Sequence, residues 1–173
     1  MKVISLGSVT DPDDKQDYIE ALTTMIDNYF KEVHSDSYCG SYSKAYVVAM
    51  EWIRDRWLYL VLDNNNKPIG FMECYVYDQM GMVKEYLVID YMYVVPEARH
   101  TRATQWLWLA GAKVALELKI DVVASTFIKS SNYHNASLMD CEHLSTVMLY
   151  KREKFINKYN KYARSLNVPT EEV

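Results

Sequence analysis

A mixed α+β sheet domain is the fold class this sequence predicts, and three observations predict it. The first third carries apolar residues at helical spacing. The middle switches to short alternating runs separated by turn residues, the pattern of antiparallel strands. The last third reads strand, helix, strand, helix, so the sheet cannot be wholly of one kind. A length of 173 residues suits one domain, residues 1–173, with a substantial core.

Met1 to Val9 alternates weakly and is a candidate first strand. Asp11-Pro12-Asp13-Asp14 then starts a helix: Asp11 caps, Pro12 suits the first helical position, and two carboxylates meet the positive end of the dipole. Tyr18, Ile19, Leu22, Met25, Ile26, Tyr29, Phe30 and Val33 give its apolar face. A serine-rich break from Ser35 to Ser43 precedes a second helix, Tyr42 to about Arg56. From Trp57 the period changes. WLYLVL and IGFMECYVY form a hairpin across the turn Asp63 to Pro68, and KEYLVIDYMYVV follows a second turn at Asp78 to Met82. A helix from Thr101 to Leu118, the strand IDVVASTFI, and a polar passage from Lys129 to about Asn135 come next. The chain is then expected to be helical through Met148, Leu149 and Tyr150.

Composition narrows the functional classes. Half of the residues are hydrophobic and 24% are charged, which disfavours disorder. A net charge of -4 argues against non-specific DNA binding by the whole molecule. Cys39, Cys74 and Cys141 lack metal or disulfide spacing, so no metal site is expected and a reducing compartment fits. The first residues lack a signal peptide's apolar core, and no apolar run is long enough for a membrane span. A cytoplasmic protein is expected.

The most informative stretch is Ile89 to Leu118, a strand, a Pro-Glu-Ala-Arg turn and an amphipathic helix. A helix N-terminus presents unpaired amides and the positive end of a dipole, so it holds phosphate. The turn Arg99-His100-Thr101-Arg102-Ala103-Thr104 contains no glycine, the residue that usually lets backbone approach phosphate or take positive φ. Arg99 and Arg102 can supply charge-assisted bonds instead, and Thr104 a hydroxyl. A plain turn with exposed arginines explains the same residues.

Two motifs in this order of elements resemble the GNAT family of acyl-CoA-dependent N-acyltransferases. YVVPEARHTRAT is similar to the family's strand followed by P-E-x-[RQ]-x-x-G-x-[GA]. VMLYKREKF, Val147 to Phe155, is similar to a late motif in which a helix carries L-Y-E-K-x-G-F. The resemblance implies an α/β/α sandwich with a mixed, mostly antiparallel central sheet flanked by helices. It implies acetyl-CoA as acyl donor and a small-molecule or protein amine as acceptor. The turn residues Arg99, His100, Thr101, Arg102, Ala103 and Thr104 would then hold pyrophosphate, with Arg102 and Thr104 at the two glycine positions. Backbone groups of Met92, Tyr93 and Val94 would pair with the pantetheine arm. Tyr150 would return a proton to the leaving thiolate.

A general base must take the ammonium proton of the acceptor. Asp90 and Glu85 lie on the strand entering the turn, on opposite faces by alternation, and Asp90, set in an apolar run, is favoured. His134, His143, Asn132 and Asn135 are further polar candidates near the late motif. Tyr29, Tyr42, Tyr46 and Trp52 can line an acceptor side or simply pack. The alternative function is a catalytically inactive GNAT-fold protein that binds a protein partner through its aromatics. Lys151, Arg152, Lys154, Lys158, Lys161 and Arg164 interleave with aromatics, as in single-strand binders, but a solvated helix with its aromatics inward is favoured and nucleic acid is not expected.

Overall fold

The computed structural model describes residues 1–33, 40–78, 85–125, 142–144, 147–150 and 152–168. Its strands hydrogen-bond in one seven-stranded sheet, in the order β1-β2-β3-β4-β5-β7-β6. They are β1 (Lys2–Ser5), β2 (Trp57–Leu62), β3 (Pro68–Asp78), β4 (Glu85–Val94), β5 (Asp121–Ser125), β6 (Glu142–Leu144) and β7 (Val147–Tyr150). β1–β2, β5–β7 and β6–β7 pair antiparallel, and β4–β5 pairs parallel. With helices α1 (Pro12–Val33), α2 (Tyr42–Asp55), α3 (Ala103–Leu118) and α4 (Arg152–Ser165), this is the mixed α+β class that the sequence predicts. The chain divides into two compact units, Met1–Glu73 with Tyr91–Leu107, and Cys74–Asp90 with Trp108–Val173.

In the first unit the helix starts follow local chemistry. Asp11 Oδ1 accepts from the amides of Asp13 (2.9 Å) and Asp14 (3.2 Å), and Pro12 takes the first helical position. Ser41 caps α2 by accepting from the Lys44 amide. The apolar faces of these helices share one core with β2, β3 and β4. Leu22 and Ile26 of α1, Ala49 and Trp52 of α2, Leu60, Phe71 and Tyr93 are all buried in it. Each fully buried aliphatic side chain here contributes about 2 kcal/mol. An aromatic cluster closes one part of this core: Trp52 stacks on Tyr91 at 4.8 Å between centroids, and Tyr29 meets Tyr91 edge-on at 5.6 Å.

β2 and β3 are joined by the turn expected at Asp63–Pro68. Asp63 Oδ1 accepts from the amides of Asn65 and Lys67, and Asn66 takes a positive φ of 62°, which asparagine tolerates. β3 is buried at consecutive positions from Ile69 to Cys74, the signature of a strand covered on both faces. Glu73, wholly buried in that run, pairs with Arg56 Nη1 at 2.6 Å. A buried carboxylate without such a partner is strongly destabilising.

In the second unit, β4 runs in parallel register with β5 from Tyr86↔Asp121 to Ile89↔Ala124. α3 ends on Lys119, whose φ of 58° and the bond from Ile120 N to Ala115 O make a Schellman close without glycine. The sequence reading fails at the late motif. Val147 to Tyr150 is strand, not helix, and pairs with β5 in the register Val122↔Tyr150. Its β-branched and aromatic residues prefer the extended state once β5 offers a partner. The helix begins only at Arg152, whose amide donates to Asp121 Oδ1 at 2.6 Å. On α4, Phe155 and Tyr159 are buried, with Phe155 edge-on to Trp108 at 5.6 Å, so these rings cannot stack on bases. Cys39, Cys141, Asn132, His134, Asn135, Lys151, the polar passage and most of the Asp78–Met82 turn lie outside the described residues.

Gly70 of β3 is fixed by contact rather than by conformation. A Cβ built there lies 2.6 Å from the Tyr93 carbonyl oxygen and 3.1 Å from methyls of Val61 and Val94. Gly70→Ala is expected to destabilise the protein by about 1–3 kcal/mol through overpacking. A urea melt that shows an unchanged midpoint contradicts this.

Candidate functional site

The strand-turn-helix stretch forms as the sequence reading expects, and its backbone explains the missing glycines. After Val95, Pro96–Ala98 makes one turn of 3-10 helix, Arg99 continues in the αR region, and α3 starts at Ala103. None of Arg99 to Thr104 has a positive φ. A β-carbon therefore costs this turn no backbone strain; what it takes up is space. The Thr101 hydroxyl donates to Ala98 O (2.6 Å) and accepts from the Ala103 amide (3.2 Å), so Thr101 caps the helix. Ala103 is buried, and the α3 ladder begins with Trp106 N to Arg102 O. Thr104 and Gln105 occupy the first helical turn, where amides lack intrahelical acceptors. The Gln105 side-chain oxygen is buried and finds no hydrogen-bond partner among the described residues. His100, Thr101 and Arg102 are exposed.

Arg99 is held by three groups. Its Nε donates to Val94 O at 3.0 Å, its Nη2 meets Glu32 Oε2 at 2.5 Å, and its guanidinium lies over the Tyr93 ring, 5.6 Å from the centroid. The other Glu32 oxygen accepts from the Tyr93 hydroxyl at 2.9 Å. Burial of Tyr93, then its bond to Glu32, pushes the phenol up to about 12, against an opposing pull from the Arg99 charge. Glu32 lies in the last turn of α1, and no sequence motif marks it.

The expected strand residues are not equivalent. Val95 N donates to Ile69 O, and the Tyr93 carbonyl is packed against Gly70, so both turn their backbone groups toward β3. Alternation then turns the backbone groups of Met92 and Val94 to the opposite edge. These two lie beyond the described β5 register, which ends at Ile89.

Met92 to Thr104 and Glu32 all belong to the first unit, whereas Asp90 and Tyr150 belong to the second. Asp90 is half-buried on β4, not enclosed as its apolar neighbours suggest, and Glu85 is exposed at the start of that strand. Tyr150 ends β7 and His143 sits in β6. Of the proposed acceptor-side aromatics, Tyr29 and Trp52 are taken up by core ring contacts. Tyr42 and Tyr46 stay exposed on α2. A wholly enclosed carboxylate that the sequence reading missed is Glu73, although it sits in an apolar run as conspicuous as that of Asp90. Among the described residues no cluster of His, Cys, Asp or Glu is arranged to hold a metal ion, and no helix is long and apolar enough to cross a membrane.

Compared with known proteins, residues 27–140 match the family described as "Acetyltransferase (GNAT) family". The chain belongs to this acetyltransferase family. The match spans the GNAT strand-turn-helix and ends before Tyr150, so the late motif lies outside it. A search of curated proteins returned no match. The GNAT assignment agrees with the fold of solved structures of low sequence identity. A probable acetyltransferase is 15% identical, with a TM-score of 0.66 over 84% of this chain and 92% of that one. The NatC complex bound to Gag peptide and CoA gives 16% and 0.57 over 87% and 96%. A ribosomal-protein-alanine N-acetyltransferase from Brucella melitensis biovar Abortus 2308 gives 12% and 0.59 over 83% and 91%.

Tyr93 also makes a pH prediction. Because its folded pKa is raised from the ordinary value of 10.0 to about 12, its contribution to stability is complete below pH 10 and is lost as the pH rises toward 12. Denaturation midpoints across that interval should fall less steeply in Tyr93→Phe than in the wild type.

Proposed function

We propose that the protein transfers an acetyl group from acetyl-CoA to an amine by direct attack. One observation carries this reading: the glycine-free turn still delivers a strand edge into a helix N-terminus without any positive φ. Bound there, acetyl-CoA would supply an acyl group activated as a thioester. The residues present suit such a ligand. The first-turn amides of Thr104 and Gln105 and the Arg102 charge together favour a pyrophosphate. Met92 and Val94 offer backbone groups along an edge for an amide-bearing arm. The Thr104 hydroxyl adds a donor, and His100 stands exposed beside the turn.

For the chemistry, Asp90 is the proposed base and Tyr150 the proposed acid. Asp90 would take the ammonium proton, and the Tyr150 hydroxyl would give a proton to the departing sulfur. Tyr150 is proposed from its place at the end of β7 and no longer from a helical motif. The amine class stays open between small molecules and protein termini or side chains. Two of the solved structures carry peptide or ribosomal-protein names.

A second reading has its own observation. Tyr42, Tyr46 and Met50 follow at four-residue intervals on α2 and stay 47%, 39% and 40% exposed. Such a stripe suits a protein partner, with catalysis lost or retained.

Acetyl-CoA is expected to raise the melting temperature, since native-state binding stabilises. Arg102→Gln should weaken coenzyme affinity about tenfold or more, the scale of one charge-assisted bond. With an accepted amine, Asp90→Asn and Tyr150→Phe should each lower kcat by about 10²–10⁴-fold while coenzyme affinity holds. No thermal shift at millimolar acetyl-CoA, with a stoichiometric protein recovered on pull-down, decides for the second reading.

A further inference from the structure

The side chain of Arg99 occupies the first motif position of the turn, where charge alone suggests a phosphate ligand. Its geometry assigns it elsewhere. The Nε–H is spent on the Val94 carbonyl at 3.0 Å, Nη2 is spent on Glu32, and the flat face rests on Tyr93. Glu32 is itself fixed, because its second oxygen accepts from the Tyr93 hydroxyl. These contacts hold the guanidinium in place: swinging it toward a phosphate would give up a carbonyl bond, an ion pair and a ring contact together.

We propose that Arg99 is a positioning residue for the acyl donor, not a pyrophosphate ligand, and that Glu32 at the end of α1 acts through it. This rests on the acetyl-CoA reading above. Val94 shares with Met92 the backbone edge that faces away from β3, the edge on which an amide-bearing arm would pair. Arg99 takes one of the two lone pairs of the Val94 carbonyl and so sets the direction of the other. Glu32 never touches the donor. It decides where Arg99 stands, and thereby how the arm is received. The ion pair is about 44% and 41% exposed at its two side chains, which limits what removing Glu32 can cost. Exposed pairs are worth little, so about a fivefold change in donor affinity is the expected scale. Loss of Arg99, which also surrenders the carbonyl bond and the ring contact, should cost about tenfold or more.

The test compares two ligands on the full chain by titration calorimetry: coenzyme A, and 3′-phosphoadenosine 5′-diphosphate, which keeps the pyrophosphate and lacks the arm. Arg99→Gln and Glu32→Gln should weaken coenzyme A and leave the fragment within about twofold, inside the noise of an exposed pair. Arg102→Gln should weaken both alike. The double variant Glu32→Gln/Arg99→Gln should bind coenzyme A no worse than Arg99→Gln alone, because one residue acts through the other. Fragment affinity that falls as far as coenzyme affinity in Arg99→Gln makes Arg99 a direct ligand and overturns the role. A donor-free reading uses the NMR exchange rate of the Arg99 Nε–H. It should be slow in the wild type and about tenfold faster in Glu32→Gln, since an exposed bond without its partner opens readily. An unchanged rate shows that Glu32 does not set the place of Arg99. Wild-type protein that binds neither ligand overturns the acetyl-CoA reading and this role with it. Normal wild-type binding with equal losses for both ligands in Arg99→Gln overturns only the role.

Discussion

The close approach of Gly70 to the Tyr93 carbonyl governs more of this molecule than any single apolar contact. With no side chain at Gly70, β3 and β4 come together so closely that a Cβ would sit 2.6 Å from the oxygen. The bond from Val95 N to Ile69 O holds the same edge one step further on. Together they fix which backbone groups of β4 turn inward to the sheet. By alternation they also fix which turn outward, and a slip of one residue would exchange them. The outward placement of Met92 and Val94, the reach of Arg99 to Val94, and the meeting of Arg99 with Glu32 all follow from that register.

Two ion pairs in the first unit illustrate how burial sets the meaning of a charge. Glu73 is wholly enclosed, and Arg56 is its partner at 2.6 Å. Such a pair adds little net stability over an apolar equivalent, yet removing one partner is costly. Glu32 and Arg99 are both more than a third exposed, so water competes for each. The first pair is a condition of folding. The second is adjustable, and an adjustable contact is what a ligand-binding edge can use.

Much of the fold was legible along the chain because its signals are local. The Asp11 cap, the Pro12 start, the turn at Asp63 and the strand-turn-helix around Pro96 each depend on neighbours within a few residues. The reading failed where a distant partner overrode local likeness. VMLY resembled the start of a helix, but β5 supplies an edge on which those residues extend. The glycine question could not be answered from sequence either. A glycine-free turn reads as damaged until the backbone shows that no positive φ is required.

The sequence by itself determined the class of fold, the membership of an acetyltransferase family and the position of the turn before α3. Those depend on period, capping and turn chemistry, which are short-range properties of the chain. Only the tertiary structure decided what the charged and polar groups do. It tied Arg99 to Glu32, 67 residues away, and buried Glu73 against Arg56. It also turned the Tyr93 carbonyl toward β3 and the Val94 carbonyl away from it. The physical reason is that a charge takes its role from the partner and the solvent around it, and neither is written in the spacing of residues.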